Sequence, residues 1–424
     1  IIIAISPNSI ASISTFLNMD PIECFLRIAS VLKQLGVSYV IDASSGGDVA
    51  LVEAREEFLQ RYKEGQRKTW TKPPTTTAFS STAINVFSHT SHDSTMSTIM
   101  GTASLQPEVT HQELPDLHTQ LPVLSSHCPG WVCYAEKSQP QAIPFVSTVK
   151  SAQQILGSIL KSALLPVGDG SKSVYFVSIQ PCFDKKLEAS RLDFYHTEES
   201  CAEVDLVIST TELWRLLEAQ ITTTSSGTNG SMEEQDMLCR SCSADGRAFL
   251  VASDRNAGSG GYTEYIFKYA AQQLYNIDLW STTLPYKEGR NPDIAEIDIN
   301  TKLKFARAYG FRNIQSVMLK VRRGQCEYDF IEIMACPSGC NNGGGQIRQA
   351  GTAGSGGGIG EEGTFHRAMQ VRRPEDNPLV QFLYATTSSG SLSAPLSESA
   401  RRLLHTRYHA VPKLEAIAPL AAKW

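Results

Sequence analysis

The chain has 424 residues, 42% of them apolar and 19% charged, the balance of a globular protein with one large or two ordinary cores. A net charge of −5 with no basic run disfavours nucleic acid as a main partner. No apolar stretch approaches the roughly 20 residues a membrane-spanning helix needs, and ten cysteines in so long a chain point to metal or a reducing compartment rather than a disulfide framework.

In chain order, 1–6 and 37–42 read as strands, and 22–35 and 49–62 carry helical periodicity. Ile1 to Ile5 is too short for the apolar region of a signal peptide and reads as a first buried strand. Residues 68–120, with Pro73-Pro74-Thr75-Thr76-Thr77 and a Ser/Thr/His-rich run behind it, hold no period and read as a low-complexity insertion. Then follow a strand at 121–125, a helix at 152–163, strands at 174–179 and 204–209, and a helix at 211–219. A second insertion is expected over 222–236. A helix at 262–274 and a strand at 328–334 precede a Gly-rich loop at 349–364, and 375–409 reads as helical. Such alternation implies an α/β fold with mostly parallel sheets covered by helices on both faces.

The most informative stretch runs from Met334 to Gln346. Cys336 and Cys340 stand four residues apart at an expected strand-to-helix junction, so they would share one side of a first helical turn. Gly343, Gly344 and Gly345 would let the backbone approach a bulky group and offer N–H donors to an anionic one. Two thiols cannot close a tetrahedral metal site. Cys128, in Ser126-His127-Cys128-Pro129-Gly130-Trp131, and Cys182, in Gln180-Pro181-Cys182-Phe183-Asp184-Lys185, each follow a strand-like run, as Cys336 does. Ligands of open α/β sheets bind just past such strand ends. Cys128, Cys182, Cys336 and Cys340 thus make a four-thiolate set of the kind a 4Fe–4S cubane uses. Zinc is the other metal option, and inert buried thiols the plain alternative. Cys239-Arg240-Ser241-Cys242 has no second CxxC at suitable spacing and reads as two loop thiols.

Six segments carry a family resemblance: CPGWVCYAEK at 128–137, STVKSAQQILGSILK at 147–161, PCFDKKLEASR at 181–191, GSGGYTEYIFKYAA at 258–271, FRNIQ at 311–315 and DFIEIMACPSGCNNGGGQI at 329–347. In this order they resemble iron-only hydrogenases, and more closely the nuclear prelamin A recognition factor-like (Narf-like) proteins of cytosolic iron–sulfur assembly. The resemblance implies two α/β lobes with a 4Fe–4S cluster in the cleft between them. Its lobes would be 1–165 and 166–348, with 349–424 as the Gly-rich loop and a helical segment like the hydrogenase small subunit, ending in LLHTRYHAV at 403–411. Cys128, Cys182, Cys336 and Cys340 would hold the cluster. Lys185, the first of a lysine pair that in hydrogenases approaches the di-iron subsite, would lend it a positive charge. Lys186 reads as a solvated helix start, Glu188 and Arg191 as helix-surface charges, Cys133 as packing, and Trp131 as a lid or core residue. His127 stands where hydrogenases have a proton-relay cysteine, and Gln180 where a methionine commonly packs at the di-iron subsite, although Met334 is retained. These departures argue against hydrogen turnover.

The function implied is therefore a non-enzymatic component of cytosolic iron–sulfur protein assembly, linking a P-loop ATPase scaffold to a WD-repeat targeting complex, in the cytosol with access to the nucleus. The alternatives are a true iron-only hydrogenase and a cluster-free interaction protein of the prelamin-binding type. Family members carry a second, N-terminal cluster site, which is expected upstream of Ile1 if present. The terminal Trp424 offers a weak docking anchor for the targeting complex.

Overall fold

A computed structural model describes residues 1–67, 120–163, 174–196, 201–223, 251–252, 259–299, 302–348, 370–371, 373–385 and 392–411. The expected insertions, the Gly-rich loop, the Cys239–Cys242 pair and Trp424 fall almost wholly outside them.

The chain opens with β1 (Ile2–Ile5) and turns at once into α1 (Pro7–Leu17), a helix the periodicity does not announce. Ser6 caps it, its hydroxyl accepting from the Ser9 N–H at 3.2 Å, and Pro7 fits the first turn, where no N–H is needed. The Ser- and Ile-rich sequence has ordinary helix propensity, so caps and packing make this helix. The same device starts α2 (Pro21–Gln34), where the Asp20 carboxylate accepts from the N–H groups of Ile22 and Glu23. After β2 (Tyr39–Asp42) comes the long α3 (Ser44–Arg67), then β3 (Val123–Ser125), α4 (Pro129–Ser138) and α5 (Ala152–Ser158). Next are β4 (Phe176–Gln180), α6 (Asp184–Ala189), a small antiparallel pair β5 (Tyr195–His196) and β6 (Cys201–Ala202), then β7 (Leu206–Ser209) and α7 (Thr210–Thr223). The chain continues through β8 (Val251–Ala252), α8 (Tyr262–Tyr275), β9 (Lys287–Glu288), β10 (Ile294–Ile299), β11 (Leu303–Tyr309), α9 (Phe311–Arg322), β12 (Phe330–Met334) and β13 (Gln370–Val371), which pairs with β8.

Two sheets organise these elements. The first is all parallel, in the order β2-β1-β4-β7; the second runs β3-β12-β11-β10-β9, parallel across its first three strands and antiparallel beyond. Alternate residues of a strand feed opposite faces, as the period of two requires. Ile3 and Ile5 pack with α1, α2 and α7, whereas Ile2 and Ala4 pack with Phe176 and with Leu156 of α5. In the second sheet Phe305 and Phe330 face α3 and α8, while Ala306, Ile331 and Ile333 face α4 and α9.

The strands do not divide the chain at residue 165. β3, from before that point, lies in the second sheet, and β4 and β7, from beyond it, flank β1 in the first. Parallel partners need a crossover, so each sheet gathers strands distant in sequence. The expected helical stretch 375–409 also differs. Its described α-helices are only 378–384 and 398–404, started by the caps Asn377 and Ser397. At His405 the helix gives way to extended backbone, bridged to Val149. His405 is fully buried, with Nδ1 2.8 Å from the Thr148 hydroxyl and Nε2 3.1 Å from the Glu53 carboxylate, and Val411 N–H donates to Glu136 O. This closing strap thereby ties α3 to α4.

Candidate functional site

Cys128 follows β3, Cys182 follows β4, and Cys336 follows β12, so the strand ends of both sheets supply thiols. Cys128 is the residue before α4, and its sulfur accepts from the Ala335 N–H at 3.5 Å. Ser126 braces that turn, accepting from Cys128 N–H at 3.1 Å and donating to Ile333 O.

Cys336 and Cys340 do not share a helical turn. The chain instead reverses through Ser338 and Gly339, both with left-handed backbone (φ 57° and 68°), into a short 3-10 turn over Gly339–Asn342. Gly339 is required twice, since a Cβ there would also lie 1.9 Å from the Ser259 hydroxyl. That hydroxyl accepts from Cys340 N–H at 2.9 Å.

The glycines beyond serve a neighbour other than the one expected. A Cβ on Gly343 would fall 2.2 Å from the carbonyl oxygen of Pro181, and Gly345 N–H donates to that oxygen at 2.9 Å. The glycine run is thus bared to let the Cys340 segment lie against the residue before Cys182. The same segment is tied to the helices on the first sheet by Asn8 of α1, which donates to the Asn341 side chain at 2.6 Å, and by Thr210 of α7, which donates to Gln346 at 2.8 Å.

All four thiols are thereby brought within range of one another's charge. Burial pushes each of them up. Cys336 reaches about 12, with the Cys128 and Cys182 thiolates adding to the effect, and Cys340 is raised by burial and then by Cys128. Burial raises Cys128 and Cys182 as well, opposed by backbone N–H groups of Ala335 and Asp184 respectively, which favour the thiolate. One buried and three half-buried thiols that repel one another as anions gain most from a cationic metal among them.

His127 faces this group. Its Nε2 is 3.2 Å from the Cys340 sulfur, and burial, with the Lys185 charge adding to it, lowers the imidazole to about 3. Lys185 is buried and its charge is felt at Cys128, Cys182 and Cys340. It is not a lone ammonium, however. Glu188 pairs with it at 2.8 Å and also accepts from Ser151 at 2.9 Å and Gln153 at 3.1 Å. Glu188 is therefore an internal counter-ion rather than a surface charge. Arg191 likewise forks onto both oxygens of Glu136 at 2.7 Å, joining α4 to the turn after α6. Lys186 stays at the surface with Glu212. Trp131 is fully buried and belongs to the core, Cys133 is half-buried on α4, and Gln180 and Met334 are buried, Gln180 donating to Ser178 at 2.8 Å. Sequence reasoning missed Ser259, Asn8 and the Pro181 carbonyl. A GSGG run hints at the first, and nothing local marks the other two.

Residues 1–111 and 106–344 match the family described as iron only hydrogenase large subunit, C-terminal domain, and 364–411 match iron hydrogenase small subunit. The chain belongs to the iron-only hydrogenase family. Within it, the chain is 36% identical to the mouse (Mus musculus) cytosolic iron-sulfur assembly component 3, over 97% of this chain and 75% of that protein. It is 34% identical to the Xenopus tropicalis cytosolic Fe-S cluster assembly factor narfl, over 100% and 77% respectively. Its fold is also that of an apo FeFe hydrogenase HydA1 of Chlamydomonas reinhardtii, with a TM-score of 0.69 and 25% identity, covering 96% of this chain and 94% of that one. The expected family and α/β architecture are thus borne out. Among the described residues no helix is long and apolar enough to cross a membrane.

Proposed function

We propose that this protein holds one 4Fe–4S cluster on Cys128, Cys182, Cys336 and Cys340 and acts without catalysis in cytosolic iron–sulfur protein assembly. The observation that carries the reading is the meeting of thiols from two sheets and a glycine-bared loop in one mutually charged group. Among the described residues no three His, Cys, Asp or Glu close on a single ion. Four thiols drawn from the ends of strands in both sheets suit the four corners of a cubane. When bound, the cluster would supply a one-electron centre and tie the two sheets together. Lys185 offsets its negative charge, reduced in effect by Glu188. The relatives' names support the pathway. A P-loop ATPase scaffold and a WD-repeat targeting complex are the proposed partners, with action in the cytosol and access to the nucleus. A histidine and a buried glutamine stand where a relay thiol and a methionine would serve hydrogen turnover, which favours the assembly role over the hydrogenase.

The test is iron and acid-labile sulfide per chain on anaerobically purified protein, with EPR after dithionite reduction, beside Cys336→Ala. About four of each, with a reduced-cubane signal that the variant loses, is expected. Iron near six with carbonyl or cyanide infrared bands would indicate a hydrogenase instead, and no iron after reconstitution would leave a cluster-free interaction protein.

A further inference from the structure

We propose that His127 donates its Nε2–H to the sulfur of Cys340 and thereby raises the reduction potential of the cluster held there; this rests on the cluster reading above. The two atoms are 3.2 Å apart. A metal-bound thiolate has no proton to give, so the bond can run only from nitrogen to sulfur. The ring is fixed in place. Ser126 and Cys128 on either side of it are held by the turn hydrogen bonds described above. Gly260 passes so close that a Cβ there would sit 3.3 Å from His127 Cε1, and the Tyr262 ring lies 5.8 Å away, centre to centre.

The four sulfurs are supported unequally. Cys128 takes backbone N–H groups and Cys182 that of Asp184, while Cys336 is governed by burial and then by the neighbouring charges of Cys128 and Cys182. Among the described residues, Cys340 is the one of the four that meets side-chain donors, His127 and the Ser259 hydroxyl. Lys185 acts on several of the sulfurs at once and is paired with Glu188, so its effect is diffuse. An added electron makes the sulfurs more negative and strengthens an N–H···S bond, so this donor favours the reduced cluster. His127 is thus a positioning and tuning residue.

The experiment compares reconstituted wild type, His127→Leu and His127→Gln by iron content and by EPR-monitored redox titration, with ¹⁵N-histidine-labelled wild type examined for coupling to the reduced cluster. Leu removes the donor at similar size; Gln puts an N–H near the place of Nε2. Expected are unchanged iron, a roughly tenfold less favourable reduction in His127→Leu, equivalent to about 59 mV for one electron, recovery of most of it in His127→Gln, and a histidine nitrogen coupling in wild type. Full iron with an unshifted potential in His127→Leu would overturn the proposal, as would equal shifts in the two variants. Should the Leu variant fail to load, absence of the nitrogen coupling in wild type would overturn it alone. Wild type without iron would instead refute the cluster reading, and this inference with it.

Discussion

Gly343→Ala tests whether the site depends on backbone contact between the two sheets. The residue has φ −60° and ψ 147°, a conformation open to any amino acid, so backbone freedom is not at stake. The obstacle is the Pro181 carbonyl. A Cβ would sit 2.2 Å from its oxygen and 2.9 Å from its carbon, about 1 Å inside ordinary contact. Neither neighbour is the far end of a flexible side chain, so the loop or the Pro181-Cys182 backbone must move. Overpacking of this kind costs about 1–3 kcal/mol, and displacement of the 2.9 Å bond from Gly345 N–H adds about 1 kcal/mol. For a chain of this size the unfolding entropy is about 0.9 kcal/mol/K, so apo Gly343→Ala should melt roughly 2–5 °C below wild type. Because Cys182 is the next residue after Pro181, reconstituted iron should fall as well. Gly47→Ala supplies the control. It lies in the first turn of α3 with nothing within 4 Å of its Cβ position, so it should be neutral or slightly stabilising. Differential scanning calorimetry of the apo proteins and iron assay after reconstitution give the two readouts. A Gly343→Ala protein that melts and binds iron like wild type would refute the argument.

Two further outcomes are expected. Burial holds the Asp329 carboxyl up at about 6, so the fold favours its protonated form. That contribution is complete below the unfolded value near ~4 and is lost as pH rises through about 6. Asp329→Asn keeps an acceptor for the Lys304 N–H, now 2.8 Å away. It should match wild type near pH ~4 and exceed it by about 1–3 kcal/mol near pH ~8; urea midpoints that do not diverge with pH contradict this. Lys185→Met strands the buried Glu188 carboxylate and should cost about 3–5 kcal/mol, while Lys185→Met with Glu188→Gln recovers more than half. A double variant no more stable than the single one would show that the pair is not the source of the loss.

The strands bearing the cysteines were legible because each is a short apolar run ending in a distinctive turn, as in Phe176–Gln180 before Pro181-Cys182. α1 was not, because its start depends on the Ser6 cap and its apolar face on packing with α2 and α7. The 294–309 hairpin also went unread, having alternating Glu, Asp and Lys on its open face and no tight turn signal. Glu188 and Arg191 looked like surface charges because three- and four-residue helix spacing cannot say what lies opposite; Lys185 and Glu136 do.

By itself the sequence determined the α/β alternation, the family and the four cysteines to consider. It could do so because strand periodicity, turn residues and thiol spacing are local. Only the tertiary structure decided that β3 joins β12 rather than β1, and that the Cys340 loop crosses to Pro181 and Asn8. Those contacts join residues up to 333 positions apart. They follow from burying both faces of two sheets at once, which no local pattern encodes.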